Sequence, residues 1–138
     1  MQFVLPIYYE QTFKKKDPKT WLVGMNSYRN WFYHLQNAVK RHYHEIIAEQ
    51  VKQSPQTPTI TGCYTLSIDV YYKNAACDGA NIAALIEKFS LDGLQECGVT
   101  INDSVKYHLG TTWRIAGRDK ENPRCVITIH PTEKDYND

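Results

Sequence analysis

Hydrophobic and polar positions along this chain follow two different periods. Residues 60–73, ITGCYTLSIDVYYK, alternate: Tyr64, Leu66, Ile68, Val70 and Tyr72 stand against smaller or polar neighbours, the two-residue period of a half-buried strand. Residues 2–9 are rich in Phe, Val, Ile and Tyr and predict a first strand, followed by a charged, proline-containing loop, FKKKDPKTW. From about Ser27 to Gln53 the period lengthens. Tyr28, Trp31, Phe32, Leu35, Val39, Tyr43 and Ile46 recur at helical spacing and predict one long amphipathic helix, capped by Ser27 or Asn26. Arg29, Asn37, Lys40, Arg41 and His44 occupy its other face, which reads either as a solvated surface or as one that meets phosphates. SPQTPT at 54–59 is a turn-rich break, and a second helix over about 80–96 stops before Gly98. Strands near 105–115 and 124–130, joined by GRDKENP as a hairpin connection, complete the chain. The order is β-α-β-α-β-β. It predicts an α+β fold with a mixed sheet of about four strands packed against two main helices.

Composition fits one core. With 138 residues, 42% of them hydrophobic, the chain has material for a single domain over 1–138, its core about 3–130 and an acidic tail at 131–138. A net charge of +1 weakens a nucleic-acid reading, but the charge is uneven. Lys14, Lys15, Lys16 and Lys19 cluster early, while acids gather in the tail at Glu133, Asp135 and Asp138. A local basic surface can hold phosphates without a basic total. Cys63, Cys77, Cys97 and Cys125 form no CxxC pair and follow no secretory leader, so free thiols in a reducing cytoplasm are expected. A zinc site from Cys77, Cys97 and a histidine is the alternative, without ligand spacing to support it. No apolar run approaches the length of a membrane span, so a cytoplasmic protein is expected.

The chemistry concentrates in Cys77–Asp103, CDGANIAALIEKFSLDGLQECGVTIND. Asn81, Lys88 and Asp92 stand at i, i+7 and i+11, within about 40° of one another on a helix, beside the apolar face of Ile82, Ile86 and Phe89. Carboxylates at the edge of a core can be aimed at a metal or a phosphate. Asp78 at the strand-to-helix junction and Asp103 in the following loop are the best candidates for holding Mg²⁺, which takes oxygen ligands and keeps waters. Lys88 is suited to offset charge on a phosphate. On a regular helix Asn81 and Asp92 are roughly 16 Å apart along the axis, so they cannot share an ion. Asp92 would line the second half of the site, position Lys88, or organise the 98–103 loop.

This pattern resembles the RusA-type Holliday junction resolvases, small phage and prophage endonucleases. The family shows a strand, an Asp-rich turn ending in Asn, a helix with Lys and Asp followed by Leu, a Gly, and an Asp pair before another strand. Here these read Asp78 and Asn81, Lys88 and Asp92 with Leu94, Gly98, and Asn102 with Asp103 before Val105. The family's upstream Asn-x-Tyr-Arg element stands as Asn26, Tyr28 and Arg29. The departures are Ala80 in place of a second Asp, Asn102 in place of an acid, and one extra helical turn between Asn81 and Lys88.

The resemblance implies a Mg²⁺- or Mn²⁺-dependent endodeoxyribonuclease that resolves four-way DNA junctions as a homodimer, without a small-molecule cofactor. It implies catalytic roles for Asp78, Asn81, Lys88, Asp92 and Asp103, with Asp78, Asp103 and Asp92 as metal ligands. DNA contacts are expected at Lys14, Lys15, Lys16, Asn26, Arg29, Lys40 and Arg114. Trp21 and Trp31 are expected in the core or in dimer packing, with stacking on bases as the alternative. Two other functions stay open: a non-catalytic branched-DNA-binding accessory protein, and a nuclease that prefers flaps or forks.

Overall fold

A computed structural model describes residues 1–135 of the chain, so Asp138 of the acidic tail lies outside the described residues. The alternating segment forms the central strand. β4 (Cys63–Tyr72) buries Tyr64, Leu66, Ile68 and Val70 on one face and leaves Thr65, Ser67, Asp69 and Tyr71 half-exposed on the other. It lies inside a four-stranded sheet with β1 (Gln2–Pro6), β5 (His108–Arg118) and β6 (Arg124–Thr132), ordered β1-β6-β4-β5. β4 runs parallel to β5 and antiparallel to β6, and β1 is antiparallel to β6. The α+β class and the mixed sheet read from the sequence are what the chain adopts.

Helices cover the buried face. α3 (Gly79–Glu96) is the crossover between the parallel strands β4 and β5 and buries Ile82, Leu85, Ile86, Phe89 and Leu94. α2 (Tyr33–Gln53) packs on α3 and β1: Tyr43 stacks on Phe89 at 4.9 Å, and its hydroxyl donates to the Pro6 carbonyl. Gly93 lets the helices approach, since a Cβ there would sit 2.5 Å from Ile47 Cδ1.

Five expectations are corrected. The strand expected over 2–9 breaks at Ile7, and β2 (Tyr8–Gln11) pairs instead with β3 (Lys19–Leu22) in a separate two-stranded sheet. Part of the expected loop is therefore strand, and residues 12–18 are the link between its arms. The expected long helix is two, because Trp31 and Phe32 are extended between α1 (Met25–Asn30) and α2. Gly24 and Phe32 precede the two helices where Ser27 or Asn26 was expected to cap, and neither position makes a side-chain capping bond. The strand expected from 105 begins at His108, and β6 continues to Thr132, two residues into the expected tail. Finally, β5 and β6 are not a hairpin pair: β4 lies between them, bonded to both.

Candidate functional site

Asp78 stands as the N-cap of α3, its Oδ1 accepting from the Asn81 N–H at 3.1 Å. The Asn81 side chain turns the other way. Its Oδ1 accepts from the Asn26 backbone N–H at 2.7 Å, tying the first turn of α1 to the first turn of α3. Gly24 makes room for this, because a Cβ there would lie 2.4 Å from Asn81 Nδ2. Further along the same contact, the Tyr28 ring stands edge-on to Phe89 at 5.5 Å. Burial raises the Tyr28 hydroxyl pKa, and the nearby Asp92 carboxylate raises it further. Asp92 Oδ2 lies 3.7 Å from Lys88 Nζ, the i,i+4 contact that was one of the three roles open to it. Two stretches far apart in sequence, 26–28 and 81–92, thus form one seam of polar and aromatic contacts between α1 and α3.

Asp103 is elsewhere. A parallel strand-helix-strand unit carries the chain up one strand and back along the helix, so the residues before and after the helix stand at opposite ends of the sheet. Asp78 follows Tyr72 at the far end of β4, whereas residues 101–107 return to its beginning, where the Tyr64 hydroxyl donates to the Asn102 carbonyl at 3.0 Å and His108 lies opposite Tyr64. The 18 residues of α3 between them span about 27 Å. Asp78 and Asp103 of one chain cannot share an ion.

The same geometry limits the donor set. One Asp78 oxygen caps α3, Asn81 Oδ1 serves Asn26, and Asp92 pairs with Lys88. Among the described residues no three His, Cys, Asp or Glu side chains are close enough to hold a metal ion. This does not fit the three-carboxylate Mg²⁺ or Mn²⁺ site that the resemblance implies, and it applies equally to zinc at Cys77 and Cys97.

The expected DNA contacts divide among surfaces. β1 ends at Pro6, opposite Arg124, which is itself opposite Tyr71 near the end of β4. The β2–β3 hairpin that carries Lys14, Lys15 and Lys16 is therefore rooted at the Asp78 end of the sheet, where Lys73 Nζ stands 5.4 Å from the Tyr8 ring centre. Arg29 is exposed in the last turn of α1, three residues from Asn26. Lys40 lines a separate cleft of about 420 Å³ with Asn37, Arg41, His44 and Glu96. There His44 Nδ1 meets Glu96 Oε2 at 2.6 Å. Arg114 lies on the sheet face away from the helices, where its Nε donates to Asp69 Oδ1 at 2.7 Å and this bond raises its pKa.

Sequence reasoning missed the basic groups at the Asp78 end of the sheet. Arg118 Nε donates to the Lys73 carbonyl at 3.1 Å, and the Arg124 guanidinium lies 4.1 Å from the Tyr71 ring centre while bonding Asp119 at 2.8 Å. Only the strand register brings them together. Trp21 and Trp31 pack against one another at 6.3 Å, partly buried against the core.

No protein-family model matches this chain, and no curated protein matches it significantly. No helix among the described residues is long and apolar enough to cross a membrane.

Proposed function

We propose that the protein acts on branched DNA as a metal-dependent, structure-specific endonuclease of the Holliday-junction-resolving kind. The observation that supports this best is the α1–α3 seam. Asn26 and Tyr28 of one family-like element meet Asn81, Phe89 and Asp92 of the other, although nothing in the sequence requires the two elements to touch. Lys88, steered by Asp92, supplies an ammonium for a phosphate, and Asn81, held by Asn26, keeps its amide N–H groups in place. The cations at the same end of the sheet suit approach by a DNA backbone. Two symmetrical cuts call for two copies of the chain, and β5, an edge strand among the described residues, offers a second copy residues 112–115 exposed in a row. This reading requires Mg²⁺ or Mn²⁺, although Asp78 and Asp103 of one chain do not come together to hold it.

A second reading, a branched-DNA-binding protein without cleavage, is favoured by the scattered carboxylates and by Ala80. The test is incubation of labelled four-way junction, flap, fork and linear duplex with and without Mg²⁺ or Mn²⁺, followed by a denaturing gel. Symmetrical metal-dependent nicks in the junction are expected. Asp78→Asn should abolish them while keeping DNA affinity and leaving thermal stability almost unchanged, because Asn caps a helix as well as Asp. A junction that is retarded but uncut under every metal condition establishes the second reading, and cutting of flaps or forks in preference moves the substrate class.

A further inference from the structure

Three aromatic side chains stand in a row in solvent where α1 gives way to α2. Phe32 is 88% exposed and Tyr33 70% exposed, and the exposed His34 ring meets Tyr33 edge-on at 5.6 Å. The residue just before them is the opposite case. Trp31 is packed edge-on against Trp21 at 6.3 Å and Tyr28 at 5.9 Å, and Tyr28 in turn rests on the buried Phe89. The extended backbone at Trp31 and Phe32 therefore anchors one ring against the core and throws the next outward. The projecting rings have a fixed base.

Exposed cations are carried by the two segments that hold this base. Arg29 is exposed one turn earlier, and the loop bearing Lys14, Lys15 and Lys16 belongs to the hairpin whose Trp21 touches Trp31. Exposed aromatic rings with cations on the adjoining segments match an unpaired nucleobase and its phosphates, since every base has a face to stack and a backbone to neutralise. We propose that Phe32, with Tyr33 beside it, stacks on nucleobases left unpaired at the branch point of the DNA. This rests on the branched-DNA reading and assigns to it a residue that distinguishes branches from plain duplex.

The experiment measures binding of the full chain to a four-way junction carrying 2-aminopurine at its centre and to a linear duplex of the same sequence, without divalent metal. Wild-type protein should change the 2-aminopurine emission on binding the junction. Phe32→Ala should weaken junction binding about tenfold, leave duplex binding unchanged and lose the emission change, with Phe32→Trp restoring both. An unchanged melting temperature for Phe32→Ala shows that the loss is not unfolding, as expected for a ring in solvent. Junction affinity and emission in Phe32→Ala equal to wild type would overturn the proposal while leaving the DNA reading intact. So would a variant whose only change is its association state in light scattering, which would make the ring a contact between copies. Wild-type protein that binds neither junction nor duplex would remove the DNA reading, and the stacking with it.

Discussion

Cys125 and Tyr43 show how single buried groups set the chain's response to alkali. Desolvation holds the Cys125 thiol up at about 12 against an ordinary value of 9.0, with the Asp69 carboxylate adding to the shift. The Tyr43 hydroxyl is raised by the same burial. A thiol whose folded pKa lies above its unfolded pKa binds its proton more tightly when folded. Its stabilising effect is complete below pH 9 and is lost as pH climbs from there toward 12, at up to about 1.4 kcal/mol per pH unit. The melting temperature should fall steeply above pH 9, and Cys125→Ala should lie lower at neutral pH but fall less steeply. A pH series of thermal melts on both proteins measures it; parallel curves would dismiss the thiol as the cause.

At the scale of elements, the contact between α2 and α3 turns on one hydrogen-for-methyl choice. Ala in place of Gly inside a helix ordinarily gains about 1 kcal/mol. Gly93→Ala should reverse that sign and cost about 1–2 kcal/mol, because its methyl would meet Ile47 Cδ1 at 2.5 Å in a packed core. Removing that atom with Ile47→Val in the double variant should recover most of the loss, as read from denaturant unfolding of the four proteins in the cycle. Elements were legible where one period ruled a whole segment. Tyr64 to Val70 alternate and bury as read, and Ile82, Ile86 and Phe89 form the buried stripe of α3. The break at Trp31 and Phe32 was hidden because α1 and α2 each keep helical spacing on their own, so Phe32 counted as an apolar position although its ring stands in water. Lys19–Leu22 was hidden for another reason: a four-residue strand next to a lysine run and Pro18 has too little pattern of its own.

For the molecule as a whole, strand order decided what the candidate site could be. The segments carrying Asp78, Asn81, Lys88, Asp92 and Asp103 were visible in the sequence, and the Lys88–Asp92 pair was one of three roles open to Asp92. That Asp103 stands at the other end of the sheet was not, because it follows from β5 being parallel to β4, and GRDKENP reads the same whether β6 joins β5 or passes beyond β4. The contact of Asn26 with Asn81 is equally tertiary. The charge distribution yields a test at this scale. If the β2–β3 loop meets the DNA backbone, replacing Lys14, Lys15 and Lys16 by Gln should reduce the slope of log affinity against log salt concentration by up to about three. An unchanged slope in a filter-binding titration would move the phosphate contacts elsewhere.

The position of β6 also sets an order of events in synthesis. β1 is made well before β6, its partner in the sheet, and β6 must come to lie between β1 and β4 before either of its ladders is complete. A chain emerging from the ribosome holds β1 without its sheet partner until residues near 130 are free. The sheet therefore cannot assemble progressively from its N-terminus. The two ladders of β6 close late, as expected of a topology dominated by contacts between distant parts of the chain.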